Sequence, residues 1–208
     1  MTVRTLFVGD VHGCSAELAA LLAKTRPTRV ILVGDLFTKG PDPDGVWRLI
    51  VQHGAEAVMG NHDDFVLTRW RLRGRRLAPA DAIAWLADLP LSLSEPGWLC
   101  VHAGIHPTGG LAQTPRDQML NLRRWPDDSD PKHPFWWEGY TGAPLVIYGH
   151  DARRGLVDRR PHTLGLDTGC VYGGRLTGYL LEENALVSVP AEAIYCPVSK
   201  PATIQPSA

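Results

Sequence analysis

Short apolar runs alternate, along the first third of the chain, with stretches whose apolar residues recur at helical spacing. Residues 5–8, 30–33 and 55–59 read as buried strands. Between them, residues 15–24 place Leu18, Leu21 and Leu22 on one helical face, with Ser15 as the start signal, and residues 43–53 do the same with Val46, Leu49 and Ile50. This β-α-β-α-β order predicts parallel strands joined by right-handed crossovers. Residues 63–73 and 79–88 continue as helices, and residues 98–101, 145–148, 164–166, 176–181 and 186–189 as strands. Residues 125–142, rich in Pro, Asp and Trp, read as a loop. An αβ first half before a β-richer second half predicts an α/β fold of two packed sheets flanked by helices. We expect one domain over residues 1–196 and a flexible tail over 197–208, with no internal repeat.

Composition narrows the class without deciding it. The 208 residues are 44% hydrophobic and 21% charged, enough for one large core. A net charge of −1 provides no global field to recruit nucleic acid, so a polyanion must be captured locally. Cys14, Cys100, Cys170 and Cys196 lie far apart and form no CxxC pair, which argues against a zinc ribbon or a disulfide framework. Met1 leads into the first strand without a charged-then-apolar leader, and no apolar run approaches the roughly 18 residues that span a bilayer. The expectation is a cytoplasmic protein with no membrane partner.

The chemistry sits at the strand ends. GDVHG (9–13) follows the first strand, Gly34-Asp35-Leu36 the second and GNHD (60–63) the third; His102-Ala103-Gly104 and Gly149-His150 follow two later ones. Carboxyl ends of strands in an open α/β sheet line one crevice, so all five motifs should meet. One Asp or His at a strand end is most often a cap or a hydrogen-bonded core group. Five in succession, each after a strand, are not explained that way. Hard carboxylates mixed with imidazoles suit manganese, iron, zinc or cobalt. Asp10 and His12 can project from one side of an extended turn, Asp35 has two oxygens with which to bridge two ions, Asn61 offers an amide oxygen, and His102 and His150 offer nitrogens. Two ions about 3.5–4 Å apart are suited to phosphoryl transfer to water.

GDVHG, GDLFTKGPD, GNHD, VHAG and YGH together resemble the calcineurin-like metallophosphoesterases of the phosphoprotein phosphatase type, over residues 8–177. The resemblance implies a four-layer α/β/β/α sandwich with two mixed sheets. It implies two divalent ions, manganese first and cobalt, iron, zinc or magnesium otherwise. Asp10, His12 and Asp35 match the ligands of one ion, and Asp35, Asn61, His102 and His150 those of the other. His62 matches the general acid, and Asp63 is a candidate to support it. Lys39-Gly40-Pro41, Ile105-His106-Pro107 with Gln113, and LDTGCVYGGRLT (166–177) are similar to bacterial symmetrical diadenosine tetraphosphatases. That likeness implies hydrolysis of diadenosine tetraphosphate to two ADP; a protein Ser/Thr or Tyr phosphatase and an RNA 5′-end phosphohydrolase are the alternatives. Thr38 and Lys39 stand where protein phosphatases carry an acid and an arginine. Thr38 cannot orient His62 as a carboxylate would, and Lys39 keeps the charge without the bidentate fork.

Arg123 resembles the arginine that grips phosphate in this family, a task a guanidinium suits because it binds two oxygens at once. Lys39 and Tyr172 are further substrate-binding candidates, with Gly173 and Gly174 allowing close approach. Arg124 reads as a solvated face before a phosphate contact, and the basic run Arg69, Arg71, Arg73, Arg75 and Arg76 after GNHD as a solvated face before a gate that steers polyphosphate. Trp136 and Trp137 read as core before they read as base-stacking groups. The expected partner is a small dinucleoside polyphosphate; oligomeric state is open.

Overall fold

The structure, a computed structural model, describes residues 3–73 and 78–197. Strand β1 (Thr5–Val8) is buried along its whole length, which requires cover on both faces. Leu6 and Val8 pack with Leu18, Leu21 and Leu22 of α1 (Ser15–Thr25) and with Val46 and Ile50 of α2 (Pro43–His53). Phe7, between them in the alternation, joins Trp98, Ile147 and Leu164 in a second core. The pattern repeats in β2 (Arg29–Leu32), where Val30 and Leu32 join the helix-side core and Ile31 the other. Asp42 caps α2 by accepting from the Gly45 amide at 2.8 Å, and Gly54 ends it in the left-handed conformation. Ser15 does not cap its own helix; its hydroxyl donates to Asp42 at 2.7 Å and so ties the starts of α1 and α2 together.

The chain continues through β3 (Glu56–Ala57), α3 (Asn61–Arg73) and α4 (Ala80–Ala87) to β4 (Ser92–Glu95), β5 (Trp98–Val101) and α5 (Arg116–Asn121). There follow α6 (Trp136–Gly139), β6 (Leu145–Tyr148), β7 (Val157–Arg159), β8 (Thr163–Gly165), β9 (Arg175–Leu180) and β10 (Ala185–Pro190). One sheet has the order β10-β9-β1-β2-β3, with β1, β2 and β3 parallel and β9 and β10 antiparallel. The other has the order β4-β5-β6-β8-β7, with β5, β6 and β8 parallel and both edges antiparallel. The sheets meet through Phe7, Ile31, Val33, Trp98, Ile147 and Leu164. Beyond the second sheet, Leu99, Val101 and Tyr148 pack against Ile105, Leu122 and Trp136. The layers are therefore helix, sheet, sheet, and a helix-and-loop cover. No helix among the described residues is long and apolar enough to cross a membrane.

Several elements differ from the expectation. The third strand pairs only at Glu56–Ala57: the Val58 amide still bonds Leu32 O at 3.1 Å, but that of Met59 turns to Pro90 O at 2.8 Å. Helix α3 begins at Asn61, so the GNHD motif is its first turn rather than a loop before it. Strands β4 and β7 were hidden because they are edges with polar, partly exposed residues. The 125–142 loop contains α6, which buries Trp136; its indole N–H donates to Ala103 O at 3.0 Å.

Candidate active site

The carboxyl ends of parallel strands from both sheets converge, and they do so on unusual backbone. His12, Asp35, Lys39 and His150 all have positive φ (47°, 56°, 71° and 76°), a conformation side chains with a Cβ adopt rarely and at a cost. Sharp turns directly after β1, β2 and β6 are thus what aim these side chains into one space. Two glycines permit the approach: a Cβ at Gly60 would overlap the Asp35 amide and carboxylate, and one at Gly149 would overlap Asp10 Oδ1.

The side chains interlock around Asp35. Its Oδ2 lies 3.5 Å from His12 Nε2 and its Oδ1 3.5 Å from His102 Nε2. Asn61 Oδ1 lies 3.0 Å from His102 Nε2 and 3.2 Å from His150 Nδ1. Donor atoms of Asp10, Asp35 and His102 fall within 4.8 Å of one another, all buried. Each imidazole has its outer nitrogen engaged. His102 Nδ1 donates to Val33 O at 2.8 Å, and His150 Nε2 donates to Asn121 O at 3.1 Å. A carbonyl can only accept, so these contacts fix the tautomers and leave lone pairs on the inner nitrogens. His12 Nδ1 meets the Thr38 hydroxyl at 3.1 Å. Thr38 therefore positions His12, a role its departure from the phosphatase pattern did not suggest. Thr38→Val should leave the fold intact and weaken metal binding about 10–100-fold, the usual cost of an outer support; Thr38→Ser should restore it. Unchanged activity across a metal titration of the valine variant would remove this role.

Burial shapes the charges. It pushes Asp10 well above the usual carboxylate range, with Asp167 and Asp35 adding to the shift, and raises Asp35 to about 7 against the opposing pull of the His62 amide, Lys39 and Arg123. His12 and His150 are held well below the usual imidazole range, by burial first and then by Lys39 for His12 and His102 for His150. Buried carboxylates crowded beside neutral imidazoles with inward lone pairs form a donor set that fits divalent metal ions. Lys39 Nζ rests 3.2 Å from His12 Nε2 and 5.4 Å from the centroid of the Tyr172 ring. A divalent ion on His12 would compete with that ammonium for the same nitrogen.

The cluster opens into a cavity of about 560 Å³ lined by His62, Lys39, Arg123 and Tyr172 among others. His62 is half-buried, its ring edge-on to His12 at 5.1 Å, and burial, Lys39 and His102 lower it to about 4. Asp63 does not support it. Its buried carboxylate accepts from the amides of Asp35 (2.7 Å), Leu36 (3.0 Å) and Gly60 (3.0 Å), so it holds the turn that presents Asp35. Arg123 lies 3.5 Å from Asp128 and 3.8 Å from Asp151 at the rim. Arg124 turns from the catalytic cavity to the His133 carbonyl and the Phe135 ring. Trp137 stacks on Phe135, and Arg69 lies over Phe65. Arg75 and Arg76 lie outside the described residues, as do the side chains of Arg71 and Arg73. One site residue escaped the sequence reading. Asp167, buried in the cavity wall and raised to about 6 mainly by burial, follows β8. The rule used for the candidate ligands, an acid or histidine just past a strand, would have found it.

Two mixed sheets, flanked by helices, that bring acid- and histidine-bearing turns to one shared edge have the metallophosphoesterase fold. The profile of the calcineurin-like phosphoesterases matches residues 3–160, and the chain belongs to that family. A symmetrical bis(5′-nucleosyl)-tetraphosphatase of Ralstonia nicotianae is 30% identical, the match covering 82% of this chain and 86% of the relative. An asymmetrical tetraphosphatase, PrpE, of Anoxybacillus flavithermus is 27% identical, covering 90% and 94%. A solved structure of a candidate diadenosine tetraphosphatase superposes with a TM-score of 0.84 at 33% identity, covering 92% and 95%.

Proposed function

We propose that this hydrolase cleaves dinucleoside polyphosphates, chiefly diadenosine tetraphosphate, symmetrically into two nucleoside diphosphates. The observation that carries the reading is the cavity lined together by His12, Asp35, Asn61 and His150 of the cluster and by His62, Lys39, Arg123 and Tyr172. The relatives at about 30% identity support the substrate class. Asp10, His12 and Asp35 would hold one divalent ion, and Asp35, Asn61, His102 and His150 a second, with manganese first among metals for this mixed oxygen and nitrogen set. Such a pair supplies charge to polarise the phosphoryl oxygen and to acidify a water molecule.

The chain's own residues do the rest. Lys39 and Arg123 flank the cluster and hold one diphosphate half. That places the phosphorus nearest the midpoint of the chain over the ligands. His62 stands at the cavity wall, where it can hand a proton to the departing oxygen of the other half. The phosphate's negative charge draws the His62 pKa upward from the low value set by burial, Lys39 and His102.

Relatives of both cleavage modes exist, so the products decide the register. Diadenosine tetraphosphate should yield two ADP molecules and no AMP or ATP. In water enriched with heavy oxygen, one of the two should carry the label on its terminal phosphate. AMP plus ATP would mean that Lys39 and Arg123 hold a different segment. No turnover, beside fast phosphate release from phosphopeptides, would favour a protein phosphatase instead.

A further inference from the structure

The binding surface does not end at Arg123. A second cavity of about 340 Å³ lies beside the first and shares Arg123, Asp151 and Arg153 with it. Two loops build it. The loop leaving α5 carries Arg123 and Arg124. The Arg123 carbonyl accepts from the Trp136 amide at 3.0 Å, and the Arg124 guanidinium lies 4.2 Å from the centroid of the Phe135 ring. The other loop begins directly after His150. The Arg154 amide closes a turn on the Asp151 carbonyl at 2.9 Å, and Gly155, with φ 64°, ends it. Arg153 and Arg154 therefore leave the chain in succession within a few residues of the ligand cluster. Arg154 reaches to 5.1 Å from the Phe135 centroid, on the ring that Arg124 also covers.

The charges in this second cavity do not cancel. Four arginines line it against two carboxylates, Asp128 and Asp151. Arg123 takes up both acids, at 3.5 and 3.8 Å. Arg153 is exposed and has no hydrogen bond, ion pair or ring partner among the described residues. A guanidinium left open at the rim shared by two cavities is placed to meet an anion that spans them.

We propose that this arginine-lined cavity is a second phosphate subsite, which takes the distal phosphates of a chain whose scissile phosphate lies over the ligand cluster. The inference rests on the dinucleoside polyphosphate reading and deepens it. A single phosphate ester fills only the first cavity, whereas a phosphate chain crosses past Arg123 into the second. Chain length is then selected by Arg153 and Arg154.

Steady-state kinetics of the Arg153→Ala/Arg154→Ala variant test it, with diadenosine tetraphosphate and p-nitrophenyl phosphate as substrates and inorganic tripolyphosphate as inhibitor. KM for the dinucleotide should rise about tenfold, the scale of one lost charge-assisted hydrogen bond, with kcat nearly kept and a clearly smaller change for the nitrophenyl ester. Inhibition by tripolyphosphate should weaken in the same proportion. Equal KM changes for both substrates, or none, overturn the subsite. If the unaltered protein does not hydrolyse the dinucleotide at all, the parent reading fails, and tripolyphosphate inhibition of the nitrophenyl reaction tests the subsite alone. Weaker inhibition of the variant then supports an anion subsite, and equal inhibition removes it. A KM rise confined to 5′-triphosphorylated RNA overturns the dinucleotide assignment.

Discussion

Asp35→Asn should abolish phosphohydrolase activity and strip metal from the protein more completely than any other single ligand change. Asp35 alone presents one oxygen to His12 and the other to His102, each at 3.5 Å, and so belongs to both halves of the ligand set. The asparagine keeps the shape and volume of the side chain but removes its charge. It also replaces one oxygen with an N–H₂ group, which repels a cation. Local structure should survive, because Asp63 still accepts from the residue 35 amide. Activity is expected to fall by more than about 10³-fold, beyond the ~10–100-fold that an outer support such as Thr38 costs. Elemental analysis should show bound metal dropping from two ions toward one or none. Near-normal turnover with two ions retained would sink the bridging role.

The sequence made the candidate ligand cluster legible because its residues stand at strand ends. A buried strand flanked by glycine and an acid or histidine is a strong local signal, and the five such sites found are joined by side-chain or backbone contacts in the structure. The layered fold was legible for the same reason: strands buried on both faces read as continuous apolar runs, as Thr5–Val8 does. The edges were not. Ser92–Glu95 and Val157–Arg159 carry little apolar signal because each pairs on one side only and stays partly exposed.

Side-chain direction was the other blind spot. Asp63 follows His62 in sequence, yet its carboxylate turns to three backbone amides, a choice set by the first turn of α3. Thr38 reads as a lost acid until the structure places its hydroxyl on His12. Arg153 and Arg154 carry no motif at all. Their significance comes from the turn after His150 and from Arg123 and Arg124, some thirty residues earlier in the chain, which line the same wall.

His62→Asn should leave both metal ions bound and slow hydrolysis of esters with basic leaving groups by roughly 10²–10⁴, the usual range for general acid help. The two halves of that statement follow from geometry. His62 lies in the same cavity as the ligands, but its ring makes no hydrogen bond among the described residues and meets His12 only edge-on, at 5.1 Å. Its contribution to the ligand cluster is instead the backbone amide, which donates to Asp35 Oδ1 at 2.9 Å and is retained in any substitution. Metal content should therefore be unchanged. The rate effect depends on the proton. An aliphatic alkoxide is far more basic than nitrophenolate or than a terminal diphosphate oxygen, whose last pKa is about 6, so it gains the most from protonation as the bond breaks. The deficit should accordingly be large for a phosphate monoester of an aliphatic alcohol and shrink for p-nitrophenyl phosphate. Burial, Lys39 and His102 hold the imidazole at about 4, so the ring is neutral at neutral pH. It can serve as an acid only if the arriving phosphate raises that value, which an adjacent dianion does. A deficit of equal size for both leaving groups would show that His62 acts on substrate position or on phosphate charge rather than on the departing oxygen.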